Sequence, residues 1–524
     1  MTDTVEVEGS APLRSAVGRG VLAATIIGSG MAMLDGTIVN VASRRIGQEF
    51  HAGFGSLQWV VNGYLLPLSS LILLGGALGD RLGRRRVFTI GVAWFCTASL
   101  LCAFAPNVDT LIAARALQGV GGALLTPGSL SLIQASIAPE DRARAVGLWS
   151  GLGGVTGALG PFIGGWLVEH ASWRWAFGIN LPLGLVVVLL SVRLVPESRS
   201  TVARRMDVPG LLLVVVALGL LTLGATSGGD RGWSLVPIAE IVGGLAVSVV
   251  FVLVEMRSRH ALVPPSLFAN RTFTGTNLMT FCTYGALGVV LLVLTLQLQT
   301  SAGYSPLQAG IATLPITLLL LVLSPRSGAL SARIGPKPQL IIGPLVAAAA
   351  LVLSLRIDAT HKAYLSDVFP AVFVFGVGLV LLVAPLTAAV MAAAPAESVG
   401  IASGVNNAVA RSAGLLAVAV LPPLAGLTGS AYLHPDSMTS GYRGVAVSCI
   451  ILLVAGAAVV ALVIPSAPFV PVSAEPAPHP TTSPTRPTQQ QLAPTSAPGP
   501  TPLDHPHQTT PPPTTPPRRK HRRP

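Results

Sequence analysis

An all-α fold that crosses a membrane many times is predicted by three properties of the chain. Apolar runs of about 18–25 residues, long enough to span a bilayer core, recur almost from the start to residue 464. Of the 524 residues, 51% are hydrophobic and only 10% charged, against about 25% charged in a soluble globular protein. The cations behind the net charge of +12 sit in short connections between the runs and at the extreme C-terminus. That distribution is a topology signal, and no nucleic-acid partner is expected from it.

Fourteen runs qualify as spans, near 19–43, 57–78, 86–105, 109–136, 146–168, 177–195, 208–226, 235–256, 273–299, 308–330, 338–356, 367–393, 398–424 and 443–464. Alternate connections are rich in arginine: Arg14 and Arg19, Arg81 to Arg86, Arg142 and Arg144, Arg199 to Arg205, Arg257 and Arg259, Arg333 and Lys337. Positive residues favour the cytoplasmic side, so both termini are predicted to be cytoplasmic in a plasma (inner) membrane protein. Arg44 and Arg45, at the outer end of the first span, break the pattern and read as a solvated loop. The polar, acidic segment 1–18 does not resemble a cleavable signal peptide. Segment 465–524 is rich in Pro, Thr, Ser and Gln, a composition that builds no packed core. It reads as a disordered tail whose terminal basic cluster either touches anionic lipid or is simply solvated. The four cysteines, Cys96, Cys102, Cys282 and Cys449, all fall in spans without metal-ligand spacing, and neither a metal nor another cofactor is expected.

An internal repeat divides the chain. Gly76-Ala-Leu78-Gly79-Asp80-Arg81-Leu82-Gly83-Arg84 follows the second span, and Gly328-Ala-Leu330-Ser331-Ala332-Arg333-Ile334-Gly335 follows the tenth. Equivalent placement implies six-helix halves at 19–196 and 272–464, with an inserted helix pair at 207–257.

One residue stands out chemically. Asp35 lies inside the first span, where an ionised carboxylate costs roughly 2.5–3.5 kcal/mol on insertion scales, so it must face a cavity or a partner. Desolvation favours the protonated form of such a group, which equips it to take up and release protons. All nine histidines fall in connections or the tail, so no histidine relay competes with it.

Several motifs in order resemble the major facilitator superfamily, specifically its fourteen-span drug:proton antiporter branch (EmrB/QacA-type), over about residues 15–465. Gly76-x-Leu78-Gly79-Asp80-Arg81-x-Gly83-Arg84-Arg85 resembles the cytoplasmic gate signature. The resemblance implies a charge network of Asp80, Arg81 and Arg84, with Arg333 as its counterpart in the second half, although basic residues here would also serve topology alone. Leu111-Ile-Ala-Ala-Arg115-Ala-Leu-Gln118-Gly119 is similar to the second family motif, which implies that Arg115 takes part in proton coupling with Asp35. Snorkelling of Arg115 to an interface is the alternative. Gly153-Gly154-Val-Thr156-Gly157-Ala-Leu-Gly160-Pro161-Phe-Ile-Gly164-Gly165 resembles the antiporter signature of exporters, with Thr156 where the pattern has glycine. Leu34-Asp35-Gly-Thr37-Ile-Val-Asn40, Ser172-Trp173-Arg174-Trp175 through Asn180, and Gly400-Ile-Ala-Ser-Gly404-Val-Asn406-Asn407 with Arg411 also fit the branch.

The resemblance implies two six-helix bundles that rock around a midplane site, exchanging protons for an amphipathic or cationic small molecule across the lipid bilayer. Cavity candidates are Asn40, Trp59, Tyr64, Gln118, Gln299, Asn406 and Asn407; each would serve equally as helix-packing glue. A dedicated exporter of a self-made antibiotic, siderophore or metabolite keeps every motif. A nutrient importer conflicts with the Gly157–Gly165 signature, and the spans hold no constellation suited to an enzyme.

Overall fold

Helix lengths follow from the bilayer-scale apolar runs. The computed structural model describes residues 11–199, 207–258, 261, 263–395 and 398–465, so the N-terminal ten residues and the proline-rich tail lie outside the described residues, as do Arg204, Arg205 and Arg259. Fourteen described helices are long and apolar enough to cross a membrane. They are α1 (Ala16–Phe50), α2 (Phe54–Leu82), α3 (Arg84–Ala103), α4 (Val108–Ser136), α5 (Pro139–His170), α6 (Trp175–Leu194), α7 (Val208–Arg231), α8 (Leu235–Arg257), α9 (Arg271–Thr300), α10 (Pro306–Ile334), α11 (Pro336–Ser354), α12 (Tyr364–Ala392), α13 (Gly400–Leu424) and α14 (Pro435–Val463). The only β-type pairing among the described residues is an isolated bridge between Ala11 and Ile137.

Local chemistry sets the ends. Ser15, Asn107, Asp207 and Asn270 accept hydrogen bonds from the first-turn amides of α1, α4, α7 and α9. Ser305 and Gln308 form a reciprocal capping box that starts α10. Two helices are interrupted, α6 at Ile179 and α10 at Thr313.

The helices extend beyond the apolar runs. α1 continues to Phe50, so Arg44 and Arg45 lie within its last turns rather than in a solvated loop, Arg44 half-buried and Arg45 exposed. α5 begins at Pro139, where Glu140, Asp141, Arg142 and Arg144 add polar turns that hydropathy does not register. Gly76–Leu82 and Gly328–Ile334 are likewise helical. The turns between α2 and α3, and between α10 and α11, are the single residues Gly83 (φ +116°) and Gly335 (φ +80°). The two repeats thus share a turn that needs a left-handed residue.

Packing separates two sets. α1 packs on α4, α5 and α6, while α4 packs on α2 and α3; α9 packs on α13 and α14, and α12 joins α10 to α11. Contacts between the sets run through α5–α10, α2–α13 and α1–α9. α7 lies along both α2 and α13 and carries α8 on its side. This is an inserted pair flanking two six-helix bundles.

The connection after α11 is organised by Asp358, which accepts hydrogen bonds from Thr360 Oγ1 (2.6 Å) and from the amides of Thr360 and His361 (both 2.8 Å). Those donors, the Thr360 hydroxyl foremost, hold the Asp358 carboxyl well below the usual carboxylate range. A depressed value in the folded state adds stability above the unfolded value of about 3.9, lost only as pH falls through the folded one. Amide exchange at Thr360 and His361 is therefore expected to show equal protection at pH 7 and pH 5. A loss of protection already at pH 5 would contradict this account.

Candidate functional site

Asp35 and Arg115 meet in the interior of the first bundle. Both are buried, 0% and 1% exposed, and Arg115 Nη1 lies 2.5 Å from Asp35 Oδ2. Gln118, one turn along α4, donates to Asp35 Oδ1 at 2.8 Å, and Asn180 of α6 donates to the same oxygen at 3.1 Å. Arg115 also donates to Gln118 Oε1 (2.7 Å) and to the Val60 carbonyl of α2 (3.0 Å). Ser99 of α3 accepts from both amides, at 2.7 Å from Gln118 and 3.2 Å from Asn180. The Arg115 guanidinium sits 4.4 Å from the Tyr64 ring centroid and 5.7 Å from that of Phe177. Every group reaching Asp35 is a donor, which suits an ionised carboxylate. Snorkelling of Arg115 is ruled out by its burial.

Gln118 and Tyr64, expected to line a substrate cavity, both contact this cluster, Gln118 by hydrogen bonds and Tyr64 by its ring. Sequence reasoning missed Asn180 and Ser99. Asn180 sits just past the break at Ile179, and its Oδ1 is buried without a hydrogen-bond partner among the described residues.

The glycines of α5 bring this cluster into contact with the second bundle. A Cβ added at Gly160 would lie 1.9 Å from Thr37 Oγ1, and one at Gly164 2.9 Å from Ile38, both in the α1 stretch that carries Asp35. Gly157 faces Met33. Thr156, the departure from the resembled pattern, packs against Gly30 of α1, whose added Cβ would meet it at 2.8 Å. The bulk lost from one helix is gained on the other. Further along α5, a Cβ at Gly165 would approach the Pro306 carbonyl to 2.6 Å, and one at Gly310 would approach the Pro161 carbonyl to 2.1 Å. α5 and α10 therefore touch backbone to backbone.

That contact belongs to a seam on the side opposite the arginine-rich connections. Gln299 donates to the Val41 carbonyl at 3.1 Å, and Gln58 to the carbonyls of Val418 and Ala419. The Tyr432 hydroxyl donates to the Ala52 carbonyl at 2.9 Å, and the Phe54 amide to the Gly429 carbonyl at 2.7 Å. Glu169 accepts from Ser305 (2.6 Å) and from the Leu307 amide (3.0 Å). Asp230, at the end of α7, accepts from the amides of Gly55 and Gly429 and so ties the inserted pair to both bundles.

On the arginine-rich side, Asp80 pairs with Arg84 at 2.7 Å within the turn at Gly83. Glu197, which sequence reasoning did not weigh, accepts from the amides of Arg85 (3.1 Å) and Arg86 (3.2 Å) and so caps α3. Arg81 and Arg333 are exposed, and neither pairs with a described acid. Gly76 and Gly79 are helical rather than part of a turn. Gly147, Gly151, Gly328 and Gly400, nearer this side, have open space where a Cβ would stand. Among the described residues the hydrogen bonds between the bundles all lie at the seam, and none lies at the arginine-rich end.

The remaining cavity candidates do not converge. Trp59 lines an apolar groove of about 470 Å³ with Pro67 of α2, Leu117 of α4 and Val215 of α7. Gln299 belongs to the seam. Asn406 bonds Asn277 (3.2 Å) and Thr280 (2.8 Å) of α9. Asn407 is exposed and donates to the Ser403 carbonyl, and Asn40 is half-buried on α1. Gln299 and Asn406 are taken up by helix-to-helix hydrogen bonds.

A family model described as the Major Facilitator Superfamily matches residues 25–418. The chain is 34% identical to the tetracenomycin C resistance and export protein of Streptomyces glaucescens, over 76% of this chain and 74% of that protein. It is 35% identical to the multidrug resistance protein Stp of Mycobacterium tuberculosis, over 79% and 77%. It is 36% identical to the puromycin resistance protein pur8 of Streptomyces alboniger, over 77% and 81%. Among solved structures, the peptide transporter POT in complex with sulfate superposes with a TM-score of 0.63 at 15% identity, covering 86% of this chain and 96% of that one. At that identity the likeness speaks for the fold alone.

Proposed function

The chain belongs to the major facilitator superfamily, and from that premise we propose that it is a proton-coupled antiporter exporting amphipathic small molecules by alternating access, of the fourteen-span branch. Relatives that confer resistance or export an antibiotic support the direction. The donor cage around Asp35 is the observation that carries the coupling.

The arginine-rich side is cytoplasmic by the positive-inside rule, so the closed seam is extracellular and the bundles stand inward-facing. In this state Asp35 is ionised and held by Arg115, Gln118 and Asn180. When the bundles rock outward, a proton from outside neutralises the carboxylate and its pairing with Arg115 weakens. A protonated Asp35 needs an acceptor, and rotation of the Asn180 amide presents Oδ1, which lacks a partner now. Because α5 packs on α1 beside Asp35 and on α10 at the seam, movement of α1 is transmitted to the extracellular closure. Asp80 and Arg84, with Arg81 exposed beside them, form the cytoplasmic gate. Each proton entering contributes about 2.3 kcal/mol per 100 mV of membrane potential.

The test is exchange in proteoliposomes. Addition of a transported antibiotic to wild-type protein under a pH gradient should release protons, and Asp35→Asn should abolish that release while leaving substrate binding measurable. Wild-type proton release by the Asn variant would remove Asp35 from the coupling. Uptake against the expected direction would make the protein an importer.

A further inference from the structure

Asp35 and Arg115 cancel one another, but Arg411 has no such balance. It lies near the middle of α13, and no described residue pairs with it or hydrogen-bonds to it. A cation at that depth faces a cavity or a partner rather than lipid.

Its surroundings can be fixed from the packing. α2 runs antiparallel to α13, anchored by Gln58 on the carbonyls of Val418 and Ala419, and by Leu73, which fills the space at Gly404. That register sets Arg411 level with Leu65 and Leu66, in the turn of α2 that begins at Tyr64, whose ring covers Arg115. On its other flank α9 crosses α13 closely, with Gly414 against Gly288 and the Tyr284 carbonyl. α13 thus stands between α2 of one bundle and α9 of the other, and Arg411 on it is half-buried. Asn407, one turn earlier on the same helix face, is exposed. Asn62, one turn beyond Gln58 on the face of α2 turned to α13, is fully buried, and neither of its amide atoms has a partner among the described residues.

We propose that Arg411 is a substrate-binding residue, and that the exported class carries an acidic oxygen group (a carboxylate, enolate or ionised phenol) on an apolar frame. Arg411 supplies the charge and planar donors for that group. Asn407 offers a neutral hydrogen bond beside it, and Leu65 and Tyr284 supply apolar wall. A cationic compound would meet an uncompensated like charge at the same depth. The inference deepens the export reading and rests on it.

Binding and transport separate the two. Fluorescein and rhodamine 123 share a xanthene frame and differ in charge sign, so their fluorescence polarisation with the purified full-length protein reports charge preference without any transport step. Wild type should bind fluorescein more tightly. Arg411→Gln should weaken fluorescein by about tenfold to a hundredfold, the loss of one charged hydrogen-bond partner, and leave rhodamine 123 unchanged or tighter. Arg411→Lys should retain most of the fluorescein affinity. Equal or tighter wild-type binding of rhodamine 123, or a Gln variant that binds fluorescein like wild type, overturns the proposal. If the Gln variant does not fold, the wild-type preference decides. Fluorescein preference without proton-driven movement of either dye would instead count against the antiport reading and leave Arg411 as a binding residue.

Discussion

Arg115→Ala is expected to lower stability by roughly 3–5 kcal/mol, the range for removing one partner of a buried ion pair. Arg115 serves Asp35 and Gln118 together, so alanine leaves a buried carboxylate without its countercharge and takes a charged donor from an amide oxygen in one step. Thermal unfolding in detergent should show the loss. Adding Asp35→Asn should restore a large part of it, because the remaining polar groups are neutral and Gln118, Asn180 and Ser99 can satisfy one another. Asp35→Asn alone should be milder, since Arg115 keeps Val60 and Gln118. An Arg115→Ala protein as stable as wild type, or a double variant worse than the single, would show that the pair is not what holds these helices together.

Gly310→Ala is expected to prise open the seam between α5 and α10. Its new methyl group would stand 2.1 Å from the Pro161 carbonyl, a backbone atom that cannot turn aside. Overpacking of this kind costs about 1–3 kcal/mol, and every 1.4 kcal/mol is a tenfold change in the ratio of inward- to outward-facing protein. Export should slow by about tenfold or more, because the inward-facing state becomes rare. A reporter cysteine at Ala309, buried in the seam and placed in a background without the native cysteines, should label faster with a membrane-impermeant maleimide once Gly310 is alanine. Unchanged labelling with unchanged export would mean that α5 and α10 do not form the closure.

How much of this could be read beforehand depended on the energetic signature of each residue. A charge deep in an apolar run is conspicuous, so Asp35 was legible, and the resemblance supplied Arg115 as its partner. Asn180 and Ser99 left no comparable mark, because neutral hydrogen-bonding side chains are tolerated in spans for many reasons. Gln118 and Tyr64 are legible for their chemistry but not for their contacts with Asp35 and Arg115, since a sequence does not show which partner claims a polar group first. The fourteen spans were legible. The polar turns at the ends of α1 and α5 were not, because hydropathy follows the lipid and not the helix. The exchange of bulk between Thr156 and Gly30 required knowing that two helices touch. Arg411 stands within a motif, but its lack of an ion-pair partner among the described residues is a property of the packed structure.

The seam between the bundles has one more consequence. Gln299, Gln58 and Tyr432 each reach across to a carbonyl of the other bundle, at Val41, Val418 and Ala52. A carbonyl is present whatever side chain its residue carries. The closure therefore asks for no side-chain chemistry at its receiving positions, where buried Val41, Val418 and Ala52 are constrained by packing alone. Random mutagenesis should find that these positions accept other apolar side chains of similar size, whereas the donors Gln299, Gln58 and Tyr432 tolerate no apolar replacement. The outer door of such a transporter is inherited as geometry on one side and as chemistry on the other.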